Sequence, residues 1–362
     1  ADMLNLSGVG VAFKLGHAFL KYGREHNLGG YMTELKEVLD YVALGTVADI
    51  VPLLGENRIL VKHGMEMLKR QLRPGVRALI EVARISSNSI KPSDITFKLA
   101  PRINAAGRLG NAISALQLLT ASKIVDAYHY ADMLEGFNQK RQTKEQEIFN
   151  EAKHYVESAP DFSSSYSIIA AGDGWHQGVI GIVASRFARD YNRPAIVLTI
   201  QGDEAHGSGR SIGGLNLIKV LSKCSHLLTR YGGHPMAVGL GLRKEDIPEF
   251  SRVFEETVRS EITPEDLIDS VSYDGTVNLS DLGPDFFSYY DKLGPFGHGN
   301  PQPCYRLNHV EVIRTFPIKA GHTKGILRDS SGDTTDFIAF NMILDPHTTW
   351  DVVAVPQINE YY

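Results

Sequence analysis

Hydrophobic residues recur at helical spacing in the first third of the chain. One apolar stripe repeats at intervals of three and four residues and consists of Leu35, Val38, Leu39 and Val42. A further helix fits residues 57–71, which end before an Arg-Pro-Gly break. The sequence from Ser7 to about Thr120 is therefore predicted to be mostly helical.

Residues 121–158 contain no proline and one glycine, which predicts one long helix. Its two ends carry apolar residues, whereas residues 138–147 are polar on every side and are interpreted as a solvated helix face. A helix of this kind is expected to bridge two bodies through solvent. At about 1.5 Å per residue it would span roughly 55 Å.

Beyond Pro160 the hydrophobic period shortens. Two apolar runs, residues 167–171 and 194–200, are typical of buried strands, and a helical pattern over 179–190 lies between them. Further helices fit residues 215–231 and 244–261. This part of the chain is predicted to be an α/β domain.

From about Asp269 the pattern consists of short strands separated by turn signals. Strands are predicted over residues 271–277, 304–315, 323–328, 336–341 and 351–355. Several short strands at this spacing favour a small β-barrel.

A length of 362 residues predicts two or three domains. The formal net charge of −5 means that nucleic acid could bind only through a local cationic groove. No apolar run approaches the roughly 20 residues of a membrane helix, so we expect no membrane association. The two cysteines, Cys224 and Cys304, lie far apart and favour a reducing compartment, which we take to be the cytoplasm.

Three glycine-rich segments fall within the predicted α/β domain, at residues 172–181, 207–211 and 231–239. Glycine permits close approach of the backbone to a ligand, although a tight turn is the simpler explanation of any single glycine pair. If the second segment is extended, Ser208 and Arg210 point to the same side and could clamp one phosphate. His234 follows Gly233 and is either a structural histidine or a ligand-binding one.

Two other positions carry candidate chemistry. Arg108 lies between Gly107 and Gly110, and either pairs with a buried carboxylate or faces a groove that binds a polymer backbone. Asp49 is the only carboxylate among residues 45–52 and needs a capping N–H, a cation or a metal as its partner. A single carboxylate cannot build a metal-dependent hydrolase, because a two-metal site needs several ligands.

Six segments together resemble the RecJ family of the DHH phosphoesterase superfamily, which consists of single-stranded-DNA-specific exonucleases. In chain order they are Gly-Thr-Val-Ala-Asp at 45–49, Pro-Arg-Ile-Asn-Ala-Ala-Gly-Arg-Leu-Gly at 101–110, the Gly-Trp-His-Gln-Gly segment that begins at 174, Gly-Ser-Gly-Arg-Ser at 207–211, Tyr-Gly-Gly-His at 231–234 and Pro-Phe-Gly-His-Gly-Asn-Pro at 295–301.

The resemblance implies an α/β multidomain fold with four parts. Residues 1–120 would be the C-terminal part of a DHH catalytic lobe, and residues 121–158 the connecting helix. Residues 159–264 would form a DHH-associated substrate-binding domain, and residues 265–362 an incomplete OB-like β-barrel that binds nucleic acid.

The resemblance also implies an exodeoxyribonuclease of DNA repair and recombination that digests single-stranded DNA from 5′ to 3′ with two Mn²⁺ or Mg²⁺ ions. Asp49 matches a catalytic metal ligand. Residues matching positions that contact DNA near the scissile phosphate are Arg108, Ser208, Arg210, Gly233 and His234, and His234 is also expected to assist catalysis. Trp175 and Tyr231 could stack on bases, although a core role fits either equally well. Single-stranded-DNA-binding protein is a further expected partner.

The family's earlier metal motifs, including Asp-His-His, do not occur in these 362 residues. We therefore expect the chain to be a fragment that is inactive by itself, with the remaining ligands upstream of Ala1. The alternative is a catalytically inactive nucleic-acid-binding or scaffold relative of the same architecture.

Overall fold

A computed structural model describes residues 5–28, 34–318 and 321–358. The chain divides into two compact units. The first contains Ala1–Leu72, Ile85–Ala100 and Val271–Tyr362, and the second contains Arg73–Arg84 and Pro101–Ser270. Among the helices of the described residues, none is both long enough and apolar enough to cross a membrane.

Twelve α-helices and ten strands are defined within the described ranges. The helices are α1 Gly8–Glu25, α2 Leu39–Ala48, α3 Gly55–Arg70, α4 Pro74–Val82, α5 Pro92–Asp94, α6 Ala100–Leu109, α7 Ile113–Thr120, α8 Ile124–Glu157, α9 Gln177–Tyr191, α10 Leu217–Lys223, α11 Ile247–Glu261 and α12 Pro284–Tyr290, and a π-helical turn, Ile95–Leu99, joins α5 to α6. The strands are β1 Ile168–Asp173, β2 Ala195–Gln201, β3 Glu204–Arg210, β4 Arg230–His234, β5 Ala237–Arg243, β6 Gly275–Thr276, β7 Tyr305–Ile318, β8 His322–Arg328, β9 Thr334–Ala339 and β10 Thr349–Ala354.

The first unit joins helices from early in the chain to a sheet from its last third. Strands β10, β7, β8 and β9 are antiparallel neighbours in that order, and β6 pairs with β7. This sheet is matched by four of the five strands predicted beyond Asp269. The predicted strand 271–277 is reduced to the two residues of β6. A small apolar core lies on the sheet and is formed by Leu279, Leu307, Val310, Val312 and Leu327.

The segment at residues 295–301 packs against the loop that precedes α3. The Leu53 N–H donates to the His298 carbonyl at 2.7 Å. Nearby, the Arg58 guanidinium donates to the carbonyl of Leu293 at 2.7 Å and to the two adjacent carbonyls at 3.2 and 3.3 Å. Gly297 permits a close approach here, because a Cβ at this position would lie 2.7 Å from the Leu53 side chain. In the described structure this segment therefore connects parts of the first unit.

The second unit is built on a five-stranded sheet of order β1-β2-β3-β5-β4. Strands β1 and β2 are parallel, and α9 connects them, which confirms the strand–helix–strand unit expected from the sequence. Helices α10 and α11 pack on one face of the sheet over a core that includes Phe250 and Phe254. Helices α8 and α9 pack on the other face, around Phe149 and Phe187.

The prediction of one helix over residues 215–231 is wrong in its second half. Helix α10 ends at Lys223, and β4 begins at Arg230. The sequence also did not predict β3, β4 or β5 as strands, because their glycines interrupt the alternation of apolar and polar residues that marks a strand. Cross-strand hydrogen bonding to neighbours supplies what local propensity does not.

The long helix is present as α8, but its centre is not solvated on all sides as the sequence suggested. Asn138 is only 2% exposed, and the side chain of Arg141 is 11% exposed. A continuous stripe at spacings of three and four residues runs through Leu134, Asn138, Arg141, Glu145 and Ile148. Both ends of α8 lie in the second unit.

Candidate nucleic-acid interface

Alternation along β3 places Ser208 and Arg210 on one face of the sheet and two glycines on the other. A Cβ at Gly207 or Gly209 would lie 2.6–2.7 Å from the side chains of Leu198 and Val238, so the core has room only for glycine there. Side chains two residues apart share a face of a strand. The extended segment therefore presents a hydroxyl and a guanidinium side by side, as the sequence predicted for an extended conformation.

Arg210 is half-buried and lies next to α9. Its Nη1 donates to the Gly209 carbonyl at 2.8 Å and to Ser208 Oγ at 3.1 Å. A Cβ at Gly181, in α9, would lie 3.2 Å from Arg210 Nη2. Burial first, and the charge of Arg108 second, lower the pKa of Arg210 from its usual range. No carboxylate of the described chain pairs with this guanidinium, so its charge is available to an anion.

Arg108 lies at the C-terminal end of α6 and reaches the beginning of α9. Its Nη1 donates to the Gly178 carbonyl at 2.9 Å. The first turn of α9 carries the positive end of the helix dipole, which favours negative groups nearby. Of the two arginines in the segment 101–110, Arg102 pairs with the carboxylate of Glu135 at 2.5 Å, whereas Arg108 has no carboxylate partner among the described residues. Pairing with a carboxylate, one of the two interpretations left open for an arginine of this segment, therefore applies to Arg102 and not to Arg108.

Arg141, on α8, is close enough to Arg108 for their charges to interact, and the sequence did not indicate this residue. We call Arg108, Arg141 and Arg210 the arginine cluster. Arg141 donates to Glu145 at 2.6 Å and to Asn138 at 3.0 Å, and its buried Nε has no hydrogen-bond partner in the described structure. Burial is the main cause that lowers the pKa of Arg141, and the charge of Arg108 acts in the same direction. The helical spacing of Asn138, Arg141 and Glu145 was the available signal, but a polar stripe of this kind is equally typical of a solvated face.

His234 and Gly233 lie on β4, the edge strand. In the sheet register Arg210 pairs with Ala237, and Ala237 pairs with His234, so the arginine and the histidine end the same row across three strands. Two strand spacings separate them by about 10 Å. Gly233 has φ of 141°, and a Cβ there would lie 2.3 Å from the Ala237 carbonyl oxygen. Only glycine fits this backbone, which keeps β4 paired and His234 exposed.

Asp49 lies in the first unit, at the C-terminal end of α2. Its backbone N–H donates to Gly45, and its side chain is exposed with no ion pair in the described ranges. A carboxylate at this end of a helix meets the negative end of the dipole, so it is the reverse of a capping residue and fits a cation ligand. No group of three or more His, Cys, Asp or Glu side chains suited to a metal occurs among the described residues.

The two aromatic candidates for base stacking do not join the cluster. Trp175 is only 6% exposed and its indole N–H donates to Glu151 at 3.0 Å, which indicates a structural role. Tyr231 is 42% exposed, but it lies three residues before His234 on the same strand. An odd separation along a strand places two side chains on opposite faces, so Tyr231 points away from the face of His234.

Two domain families match the chain. The DHHA1 domain matches residues 164–260, which include Ser208, Arg210, Gly233 and His234, and the RecJ OB domain matches residues 273–362. The single-stranded-DNA-specific exonuclease RecJ of Bacillus subtilis is 36% identical over 93% of this chain and 42% of its own length. The same enzyme of Escherichia coli is 35% identical over 93% of this chain and 61% of its own length.

The structure agrees with these sequence matches. The crystal structure of RecJ from Thermus thermophilus in complex with Mn²⁺ superimposes with a TM-score of 0.81 at 29% identity, covering 98% of this chain and 51% of that one. The chain belongs to the RecJ family. A Mg²⁺ complex of the same Thermus protein gives the same TM-score. The chain spans about half of the length of these RecJ relatives, so its activity has to be inferred from the residues that it contains.

Proposed function

We propose that the second unit binds single-stranded DNA through the arginine cluster, as part of a RecJ-type exodeoxyribonuclease of DNA repair and recombination that digests from 5′ to 3′. The observation that carries this proposal is that Arg108 and Arg210 both lie against the beginning of α9, with Arg141 close enough to Arg108 for their charges to interact. Within the described part of the chain, the only carboxylate that pairs with any of these three arginines is Glu145, the partner of Arg141. Like charges brought together in a half-buried place repel each other unless an anion binds between them. A backbone phosphate is such an anion.

Arg210, Ser208, Arg108 and His234 each have a separate proposed role. Arg210 offers a rigid fork of donors to a phosphate, and Ser208 adds a hydroxyl from the same face. Arg108 supplies positive charge at the start of α9. His234, at the far end of the Arg210 row, is exposed and would offset negative charge that develops on the phosphate during hydrolysis.

Asp49 is proposed as one ligand of a Mn²⁺ or Mg²⁺ pair. The fit is supported by its exposed carboxylate at the negative end of α2, since hard divalent cations prefer oxygen ligands. Such ions, when bound, activate a water and stabilise the leaving oxygen. Because one carboxylate does not complete such a site, we propose that this chain binds DNA without hydrolysing it.

A cytoplasmic location is supported by the free thiols of Cys224 and Cys304 in the described structure. Single-stranded-DNA-binding protein remains a proposed partner on the strength of the family alone.

Replacement of Arg210 by alanine tests the proposed interface. We expect Arg210→Ala to weaken binding of a single-stranded oligonucleotide and to reduce the slope of log K against log salt by about 0.7, the value for one phosphate contact. Fluorescence anisotropy at several salt concentrations, with EDTA present, measures both. Arg252→Ala is the matched control, because Arg252 lies in the same unit but is paired with Glu249 and Glu256. An Arg210→Ala slope equal to that of the control would contradict the proposal.

A further inference from the structure

The face of the sheet that carries Ser208 and Arg210 continues across β5 and β4 in three rows. The register aligns Arg210 with Ala237 and His234, then Ser208 with Gly239 and Gly232, and finally His206 with Gly241 and Arg230. Directly paired residues of antiparallel strands share a face. The side chains of β3 and β4 therefore border a strip whose centre, on β5, contains only alanine and glycine.

The centre of this strip is open. A Cβ added at Gly239 or at Gly232 would meet no atom within 4 Å. On the opposite face of the same strands, by contrast, Val238 and Leu240 are buried in the core. We call this strip, formed by Gly239 and Gly241 on β5 and Gly232 on β4, the glycine floor. Its lack of side chains leaves the backbone accessible to a ligand.

Arg230 closes the end of the glycine floor that lies away from Arg210. A Cβ at Gly241 would lie 3.0–3.1 Å from the Arg230 side chain, which shows that this side chain crosses above β5. Arg230 Nη2 lies 3.1 Å from Nδ1 of His206 on β3. Because a guanidinium can only donate, Nδ1 accepts and the His206 ring carries its proton on Nε2. This contact fixes the direction of the arginine.

The charge of Arg230 is not neutralised locally. No carboxylate lies within salt-bridge distance of its guanidinium in the part of the chain that the structure describes. The nearest acid to this pair is Glu204, whose side chain is 68% exposed and lies 3.8 Å from His206 Nε2. Other arginines of the unit, such as Arg243 and Arg259, have carboxylate partners. An exposed arginine held in place by a neutral ring is suited to bind an anion.

The glycine floor is longer than one phosphate group. Its end rows are four residues apart along β3, which is about 14 Å at 3.4 Å per residue. We propose that Arg230 binds a second backbone phosphate of the DNA strand whose first phosphate lies at Arg210, with the intervening nucleotide over Gly239 and Gly232. This inference rests on the proposed function and extends it from one phosphate to two. It also implies recognition of backbone rather than base, because the floor has no aromatic side chain.

Oligonucleotides of different length distinguish between the two proposed phosphate positions, because a single nucleotide can occupy only one of them. The probes are 5′-phosphorylated oligothymidylates of one and six nucleotides with a 3′-fluorescein, measured by anisotropy with EDTA present. We expect Arg230→Ala to weaken hexamer binding about tenfold, as for the loss of one charge-assisted contact, and to reduce its salt slope by about 0.7. Binding of the single nucleotide should not change. Arg230→Lys, which keeps the charge, should restore the slope.

Arg210→Ala and Arg252→Ala are measured in parallel. Arg210→Ala should weaken binding of both probes, and Arg252→Ala of neither. If Arg230→Ala leaves the hexamer unchanged while Arg210→Ala weakens it, the second phosphate position is wrong and the proposed function stands. If neither variant changes hexamer binding, the proposed function itself fails. Equal weakening of both probes by Arg230→Ala would also overturn the assignment to a second phosphate.

Discussion

Ile50 adopts a backbone conformation that β-branched residues rarely take. Its φ is 55°, in the left-handed region, and its side chain is 59% exposed directly after Asp49. Such strain costs of order 1–3 kcal/mol and often occurs next to functional residues. The strain ends α2 sharply and leaves the Asp49 carboxylate exposed.

Glycine at position 50 should remove this strain. We expect Ile50→Gly to raise the free energy of unfolding by about 1 kcal/mol, since little packing is lost at an exposed site and the left-handed conformation costs glycine nothing. Urea denaturation followed by circular dichroism measures the change. A less stable Ile50→Gly protein would show that the isoleucine side chain contributes more than its backbone costs.

Gly233 and Gly232 are neighbours that differ in whether the structure has room for a side chain. A Cβ at Gly233 would lie 2.3 Å from a backbone carbonyl, whereas a Cβ at Gly232 meets open space. We expect Gly233→Ala to destabilise the protein by at least about 2 kcal/mol and Gly232→Ala to change stability by less than about 0.5 kcal/mol. Thermal unfolding of both variants checks this. Equal midpoints would mean that β4 relaxes away from β5.

Arg141 shows why sequence reasoning recovered only part of the site. Ser208 and Arg210 could be proposed because a two-residue separation in an extended strand fixes a common face. The position of Arg141 depends on which side of α8 packs on the sheet, and a helix with polar residues all round does not specify that side. A pattern based on hydrophobicity does not indicate this arginine, because its neighbours on the same side of α8 are also polar: Asn138, which is buried, and Glu145, which is half-buried.

At the scale of secondary-structure elements, those that carry a regular apolar pattern were predicted correctly. The parallel pair β1 and β2 and the helix α9 between them follow from buried runs and helical spacing. Strands β3, β4 and β5 were not predicted, since glycines interrupt the alternation of apolar and polar residues that normally marks a strand. On β3 these glycines, Gly207 and Gly209, face the core. The glycines of the opposite face, Gly232, Gly239 and Gly241, form the glycine floor. The part of the sheet that carries the candidate site was therefore the hardest to predict.

The turn between β8 and β9 is held by one carboxylate. The Ser331 hydroxyl donates to Asp329 at 2.6 Å, and the N–H groups of Leu279 and Asp333 donate at 3.0 and 3.1 Å. These hydrogen bonds hold the pKa of Asp329 below its usual value, and the bond from the Ser331 hydroxyl has the largest effect. The turn is therefore tied to the segment that precedes α12.

This lowered pKa predicts the pH dependence of stability. A pKa below that of the unfolded chain, which is about 3.9, means that the stabilisation is present above pH 3.9 and is lost as pH falls through the folded value. Asp329→Asn should therefore lower the unfolding midpoint at pH 6, and the difference from wild type should shrink towards pH 3. Thermal melts across this range provide the measurement. A difference independent of pH would exclude the carboxylate charge as its cause.

At the scale of the whole molecule, we expect this chain to bind single-stranded DNA without digesting it in Mn²⁺. Asp49 lies in the first unit, and the described residues contain no cluster of three metal-binding side chains to accompany it. Incubation with an end-labelled oligonucleotide and Mn²⁺, followed by denaturing gel electrophoresis, tests this. A full-length RecJ relative is the positive control. Digestion by this chain that Asp49→Ala abolishes would show that a sufficient metal site is present.

The first unit is assembled from distant parts of the sequence, and Arg58 and Leu293 are 235 positions apart. Domains usually fold in the order in which the ribosome releases them. Here the early helices cannot complete their contacts until residues 292–298 have been synthesised, whereas the second unit, encoded mostly between these segments, can close beforehand. In nascent chains arrested at intermediate lengths, the inserted unit should accordingly become protected from protease first, and the early helices only after synthesis of residues 292–298.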